Sequence, residues 1–269
     1  MVKRKILLIG RHGEAPQKPE GGSKDELLPE AFSKIYLGTG MHLRKLVEDY
    51  GLLPEMAFLR HTPKVRTRYT GQTILISGFN MQPSEGKTPP KSAEDLAKYD
   101  LSMIESIEDK RLLYSHPCNL SGDNRDDFNL ALFRQGKPGQ EKNINYWLNT
   151  PDTDIYEGEL TVPGRAIIKD CREVTQDNLR KLVSRKNNKD LGVSVAHAGR
   201  VDICLIHLIN SGRSGSRQIR DIMDIGGICN MGEFATLSLE DMGLDYKANL
   251  EYRGSKFNVM LDRILDKKR

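Results

Sequence analysis

An unbroken apolar run, Ile6-Leu7-Leu8-Ile9, stops at Gly10 and is followed at once by Arg11-His12-Gly13-Glu14. A short run without polar alternation reads as a buried strand, and a strand that ends by presenting a cation and an imidazole reads as a strand of an α/β fold. Folds of that class keep their sites at the carboxyl ends of such strands. An arginine there can hold a phosphate with a planar fork of donors, and a neutral imidazole beside it can attack phosphorus. The pair therefore suits phosphoryl transfer through a phosphohistidine. Taken alone, the tetrapeptide is equally compatible with core or loop residues that do no chemistry.

The 269 residues allow one large domain or two small ones, with a substantial core in either case. Lys and Arg number 41 against 37 Asp and Glu, an excess too small to imply nucleic acid, although it leaves room for a local positive pocket. The apolar run after the basic start Met1 to Lys5 is too short for a secretory segment, and no stretch is long enough to span a bilayer. Cys118, Cys171, Cys204 and Cys229 form neither a CxxC pair nor a secreted framework. They are expected to be reduced packing thiols of a cytoplasmic protein.

Along the chain, Ala15 to Asp25 has no apolar period and reads as a loop over the strand end, where Lys18 is more readily a solvated lysine than an anion ligand. Leu27 to Tyr50 predicts two helical pieces broken near Gly38-Thr39-Gly40 and closed by Gly51, with His42 as a surface or packing histidine. Met56 to Leu59 reads as a second strand. After it, Thr62 and Pro63 signal a helix start, which places Arg66 in the first turn, where free N–H groups and the helix dipole already favour an anion. Arg68, two residues on, points elsewhere, so one of the two faces the pocket. The stretch from about 82 to 158 differs in composition and reads as an insertion or cap on the core. Trp147 is expected to pack, and the acidic run around Asp126 to be solvated.

A long helix is expected from Arg165 to Lys186. Leu191 to Ala196 is then a strand that delivers a second histidine, His197, at a turn into a helix containing Val201, Ile203, Cys204, His207 and Leu208. His207 reads as structural. Ser211 to Ser216 reads as a flexible loop, Asn230-Met231-Gly232-Glu233 as a turn, Phe234 to Leu237 as a late strand, and Tyr252 to Arg269 as a basic terminal helix.

Arg11-His12-Gly13-Glu14, Arg66-Thr67-Arg68-Tyr69-Thr70, Ser194 to Gly199 and Asn230 to Glu233 come in the order of the motifs of the histidine phosphatase superfamily, the phosphoglycerate mutase-like proteins. The chain resembles that family over about residues 5 to 239. The resemblance implies a three-layer α/β/α sandwich with a mostly parallel central sheet and an insertion before the long second-half helix. It implies His12 as nucleophile, Arg11, Arg66 and His197 as the clamp on the phosphate oxygens, and no metal or other cofactor. The implied partner is a phosphorylated small molecule or phosphoprotein, with no nucleic acid and no membrane. Glu14 is read as a structural residue of the turn.

Two departures from the family pattern bear on the chemistry. One branch carries an aspartate directly after the second histidine, where this chain has Ala198. The other carries a glutamate in a leucine-x-glutamate context, where this chain has Arg111-Leu112-Leu113-Tyr114. His116 or a carboxylate of the insertion remains open as proton donor to the leaving oxygen. The expectation is a metal-independent phosphomonoester hydrolase. The alternatives are a mutase-like phosphotransferase and a catalytically weak module that binds a phosphorylated ligand.

Overall fold

The computed structural model describes residues 4–15, 26–85, 89–112, 144–145, 148–149, 164–184, 186–243 and 245–265, with the side chains of 164–166 excepted. Lys18, His116, Cys118, the Asp126 run, Trp147 and the chain end lie outside the described residues.

Seven strands form one sheet in the order β3-β2-β4-β1-β5-β6-β7. They are β1 (Arg4–Arg11), β2 (Ala57–His61), β3 (Glu105–Glu108), β4 (Leu191–Ala196), β5 (Phe234–Asp241), β6 (Tyr246–Tyr252) and β7 (Ser255–Val259). The first four in that order are parallel, and β5, β6 and β7 extend the sheet antiparallel. The α/β class with a parallel centre is therefore present, and the antiparallel half is an addition. Residues 105–108, within the stretch expected as an insertion, are the edge strand of the sheet.

Burial on both faces explains why β1 and β4 read as continuous apolar runs. Ile6 and Leu8 pack on one side with Ala31, Phe32 and Ile35, whereas Leu7 and Ile9 pack on the other with Cys171, Val201 and Leu205. The first layer is α1 (Pro29–Ile35), α2 (Met41–Tyr50) and α3 (Val65–Gly78), and the opposite layer is α5 (Gly164–Val183) and α6 (Arg200–Ser211). A short α4 (Ala93–Leu96) precedes β3. The break expected near Gly38 is a π-helical turn over Tyr36–Gly40, where Gly40 lies so close to Ser77 that a Cβ would sit 2.4 Å from that side chain. Gly51 closes α2 at φ 62, as a C-terminal glycine does.

The terminal helix expected from Tyr252 is corrected. Tyr252 ends β6, a turn at Arg253-Gly254 leads into β7, and only Leu261–Ile264, here α7, is helical. In β6 and β7 one face packs while the other is wet, an alternation short enough to pass for an amphipathic helix. The loop expected at 211–216 holds a short 3-10 turn at Gly215–Arg217. Among the described residues no helix is long and apolar enough to cross a membrane.

Candidate active site

The register of β1 against β4 puts the two histidines side by side. Arg11 is opposite Ala196, so His12 and His197 are the next residues on adjacent parallel strands, and His12 N–H still donates to Ala196 O at 3.1 Å. Neighbouring strands are about 4.8 Å apart, and the two rings meet edge-on with centroids 4.9 Å apart. The helix after β1 lies on one face of the sheet and the helix after β4 on the other, so these strand ends open into the crevice where α/β sheets bind ligands.

His12 is buried, and its Nδ1 is 2.6 Å from Gly13 O. A carbonyl can only accept, so Nδ1 carries the proton and Nε2 keeps its lone pair. Burial first, then the Arg66 and Arg11 charges, push His12 down to about 4, so it is neutral at physiological pH. His197 is pushed down to about 2 by burial, by His12 and by the same two arginines, with Lys64 adding to the effect. Arg66 Nη2 donates to His197 Nδ1 at 3.4 Å, which leaves the His197 proton on Nε2, 3.4 Å from Thr62 Oγ1. Both bonds are long, the kind a better acceptor can replace.

Arg66 is on the first turn of α3, as the Thr62-Pro63 signal implied, although the residue preceding the helix is Lys64, with no side-chain cap. Thr62 instead accepts from Lys64 N–H at 3.1 Å and pairs with Thr67 Oγ1 at 2.9 Å. Thr70 ties α3 to β1: its hydroxyl donates to Arg66 O and accepts from Gly13 N–H. Arg68 is exposed and packs over the Tyr69 ring. Arg11 Nη1 donates to Cys229 O at 3.1 Å, while its buried Nε has no hydrogen-bond partner among the described residues. Burial lowers the Arg11 pKa, which is the mark of a cation partly stripped of water. The structure thus brings together His12, His197 and Arg66, with Arg11 next to His12 on the same strand end.

Several supporting residues carried little or no sequence signal. Asp202, buried, accepts from Gly199 N–H and Cys229 N–H at 2.8 Å each, which joins the turn after His197 to the loop holding Arg11. Its position three residues into α6 after Gly199, a glycine at φ 82, is the one legible hint. Arg253 donates to both carboxylate oxygens of Glu233 at 2.7 and 2.8 Å and to the carbonyls of Ile225, Gly226, Gly227 and Ile228. It therefore fastens the whole 225–233 loop. Gly232 N–H in turn donates to Arg11 O and His12 O.

Glu14 is exposed, with Lys34 3.2 Å away. His42 is also exposed, 3.2 Å from Thr236 Oγ1, and His207 is half-buried on α6. Cys171, Cys204 and Cys229 are buried free thiols, and burial pushes Cys229 up to about 12, which keeps it protonated. Asp109, at the end of β3, is bound to Arg60 and Arg111. Among the described residues no group of three or more His, Cys, Asp or Glu is arranged to hold a metal ion.

No protein-family model and no curated protein matches the chain. Solved structures of similar outline include a mycobacterial hydrolase at 14% identity, covering 98% of this chain and 95% of the other with a TM-score of 0.48. A mycobacterial glucosyl-3-phosphoglycerate phosphatase aligns at 13% identity over 94% of this chain and 99% of its own, TM-score 0.47. A Hafnia alvei phytase solved with myo-inositol hexakis sulphate aligns at 12% identity over 99% and 87%, TM-score 0.45. At such identity and superposition, the functional reading rests on the residues of this chain alone.

Proposed function

We propose that the protein is a phosphomonoester hydrolase of the histidine phosphatase kind, working through a phosphohistidine on His12. The observation that carries this reading is the pair of neutral imidazoles 4.9 Å apart beside Arg66, with His12 held in the tautomer that leaves Nε2 unprotonated. A binding pocket alone has no need of a nucleophile held in that state.

In this reading His12 Nε2 attacks phosphorus and the bond from phosphorus to the leaving oxygen breaks. The leaving group departs with the electron pair and takes up a proton. Water then attacks the phosphohistidine, which releases inorganic phosphate and restores His12. Charge spreads over the three non-bridging oxygens during each transfer, and fixed donors around them supply most of the rate. Arg66 and Arg11 provide those donors, and the His197 Nε2 proton, held only loosely by Thr62, provides another. The proton donor to the leaving oxygen has no assigned residue, so phosphates with acidic leaving groups are expected to react fastest.

The test is hydrolysis of an aryl phosphate in excess chelator, with rapid acid-free quenching to trap an acid-labile phosphoprotein. Turnover in chelator together with a trapped phosphoprotein that disappears in His12→Ala supports the reading. Chelator-sensitive turnover, or turnover that survives His12→Ala, overturns it. Assay of mutase transfer on the same preparation separates a phosphotransferase from a hydrolase.

A further inference from the structure

A cavity of about 670 Å³ lies between α5 and α6, walled at its ends by residues 213–220 and by α7. Its lining on α6 runs from Ile203 to Ser211, whereas His197 precedes the helix. None of the described lining residues is His12, Arg11, Arg66 or His197. The volume is in the range of small-molecule sites. Ile203 and Ile206 of α6 contribute to an apolar floor.

The charged residues of its wall are Arg172, Arg213, Arg220 and Arg263, and among the described lining residues there is no aspartate or glutamate. The chain as a whole is nearly balanced, 41 basic to 37 acidic, so four to none is a local arrangement. Two of the four have a structural explanation. Arg263 Nη1 donates to Ser211 O and Arg213 O, and Arg213 Nη1 to Arg217 O, the carbonyls at and after the negative end of α6. The side chains of Arg172, from α5, and Arg220 make no hydrogen bond or ion pair among the described residues, and both are exposed. The wall that carries Arg220 is nevertheless built firmly. Asn210 brackets Ile219 through both its amide groups, and Asn149 donates to Arg220 O. A sphere of this volume is about 11 Å across, so all four cations act on its centre within about one Debye length at 0.1 M salt.

We propose that this cavity is a second anion site, separate from the His12 pocket, which takes a nucleotide-sized organic polyanion with its apolar body on the isoleucine floor and its phosphates among the four arginines. The proposal is independent of the phosphatase reading, because the cavity shares no described lining residue with the His12 pocket.

The probes are the non-hydrolysable β,γ-imido analogue of ATP and inorganic pyrophosphate, titrated calorimetrically into the full chain. The analogue should bind with an affinity that falls as salt rises. Arg172→Ala/Arg220→Ala should weaken it at least tenfold without changing Tm, because both side chains are exposed, and Arg66→Ala should leave it unchanged. Pyrophosphate, which lacks the apolar body, should bind more weakly. Binding lost in Arg66→Ala but kept in the double variant assigns the ligand to the His12 pocket and overturns the proposal. Absence of binding by both probes at millimolar concentration overturns it as well.

Discussion

The two halves of the sheet divide the work between them. The parallel half, β2, β4 and β1, ends in the groups able to react or bind: His12, His197 and, one turn into α3, Arg66. The antiparallel half, β5 to β7, contributes no such group, yet its loops fix where Arg11 stands, through Cys229 O, Gly232 N–H and the Arg253–Glu233 pair. Parallel strands all present their carboxyl ends at one edge, so chemistry gathers there. A hairpin returns the chain to its start, so it suits bracing. Substitutions in the first half should therefore remove activity and leave the fold, and those in the second half should shift geometry.

The largest effect expected is that of His12→Ala, a loss of turnover of at least about 10⁴-fold in a chain that still melts cooperatively, since the proposed nucleophile is gone. Kinetics and thermal melting on one preparation check both parts. Arg66→Ala should cost about 10² to 10³-fold, the usual value of a fixed transition-state donor. Arg66→Lys should recover little of it, because an ammonium lacks the planar fork.

Next comes pH. His12 takes up protons at about 4 in the fold and near 6.5 when unfolded, so between those values the unfolded chain binds more protons and stability falls as pH falls. At 1.36 kcal/mol per tenfold in proton affinity, full protonation of the unfolded state at this site alone removes about 3 kcal/mol. Melting from pH 7 to 4 should show the decline, and His12→Ala should remove its own share of it while the share of His197, pushed down further, remains. Activity should hold down to about pH 4, and an acid limb at 6.5 would contradict the buried neutral imidazole.

Gly10→Ala tests the joint between the halves. Its Cβ would lie 2.3 Å from Glu233 O, a backbone atom, so the β1–β5 seam must shift, at about 1–3 kcal/mol of stability by chemical denaturation. Smallest is Arg253→Ala, expected to raise KM about tenfold while the pH limb set by His12 stays in place, because the variant loosens the loop behind Arg11 and leaves the imidazole alone. Arg253→Lys should recover only part, since one ammonium cannot reach four carbonyls and a carboxylate. A KM unchanged in Arg253→Ala would show that the antiparallel half has no say in the site.

Much of this was legible in the chain. Ile6 to Ile9 and Leu191 to Ala196 announced buried strands because residues covered on both faces leave no room for polar alternation. Thr62-Pro63 announced that a helix carrying Arg66 in its first turn would follow, although it starts at Val65, two residues later than proline at the first helical position would place it. The hairpin of β6 and β7 was not legible: its half-buried alternation over five to seven residues has too few repeats to separate a period of 2 from one of 3.6.

What the sequence determined by itself is therefore local: which runs are buried, where they stop, and which reactive side chains stand at their ends, all set by neighbours within a few residues. What the tertiary structure decided is register and approach. Ile6 opposite Leu191 puts His12 and His197 one strand spacing apart, and a shift of one residue would send the side chains to opposite faces. The bracing of Arg11 by Cys229, and of that loop by Arg253, joins positions more than 20 residues apart through backbone carbonyls. Every residue has such a carbonyl, so no residue type records which one is used.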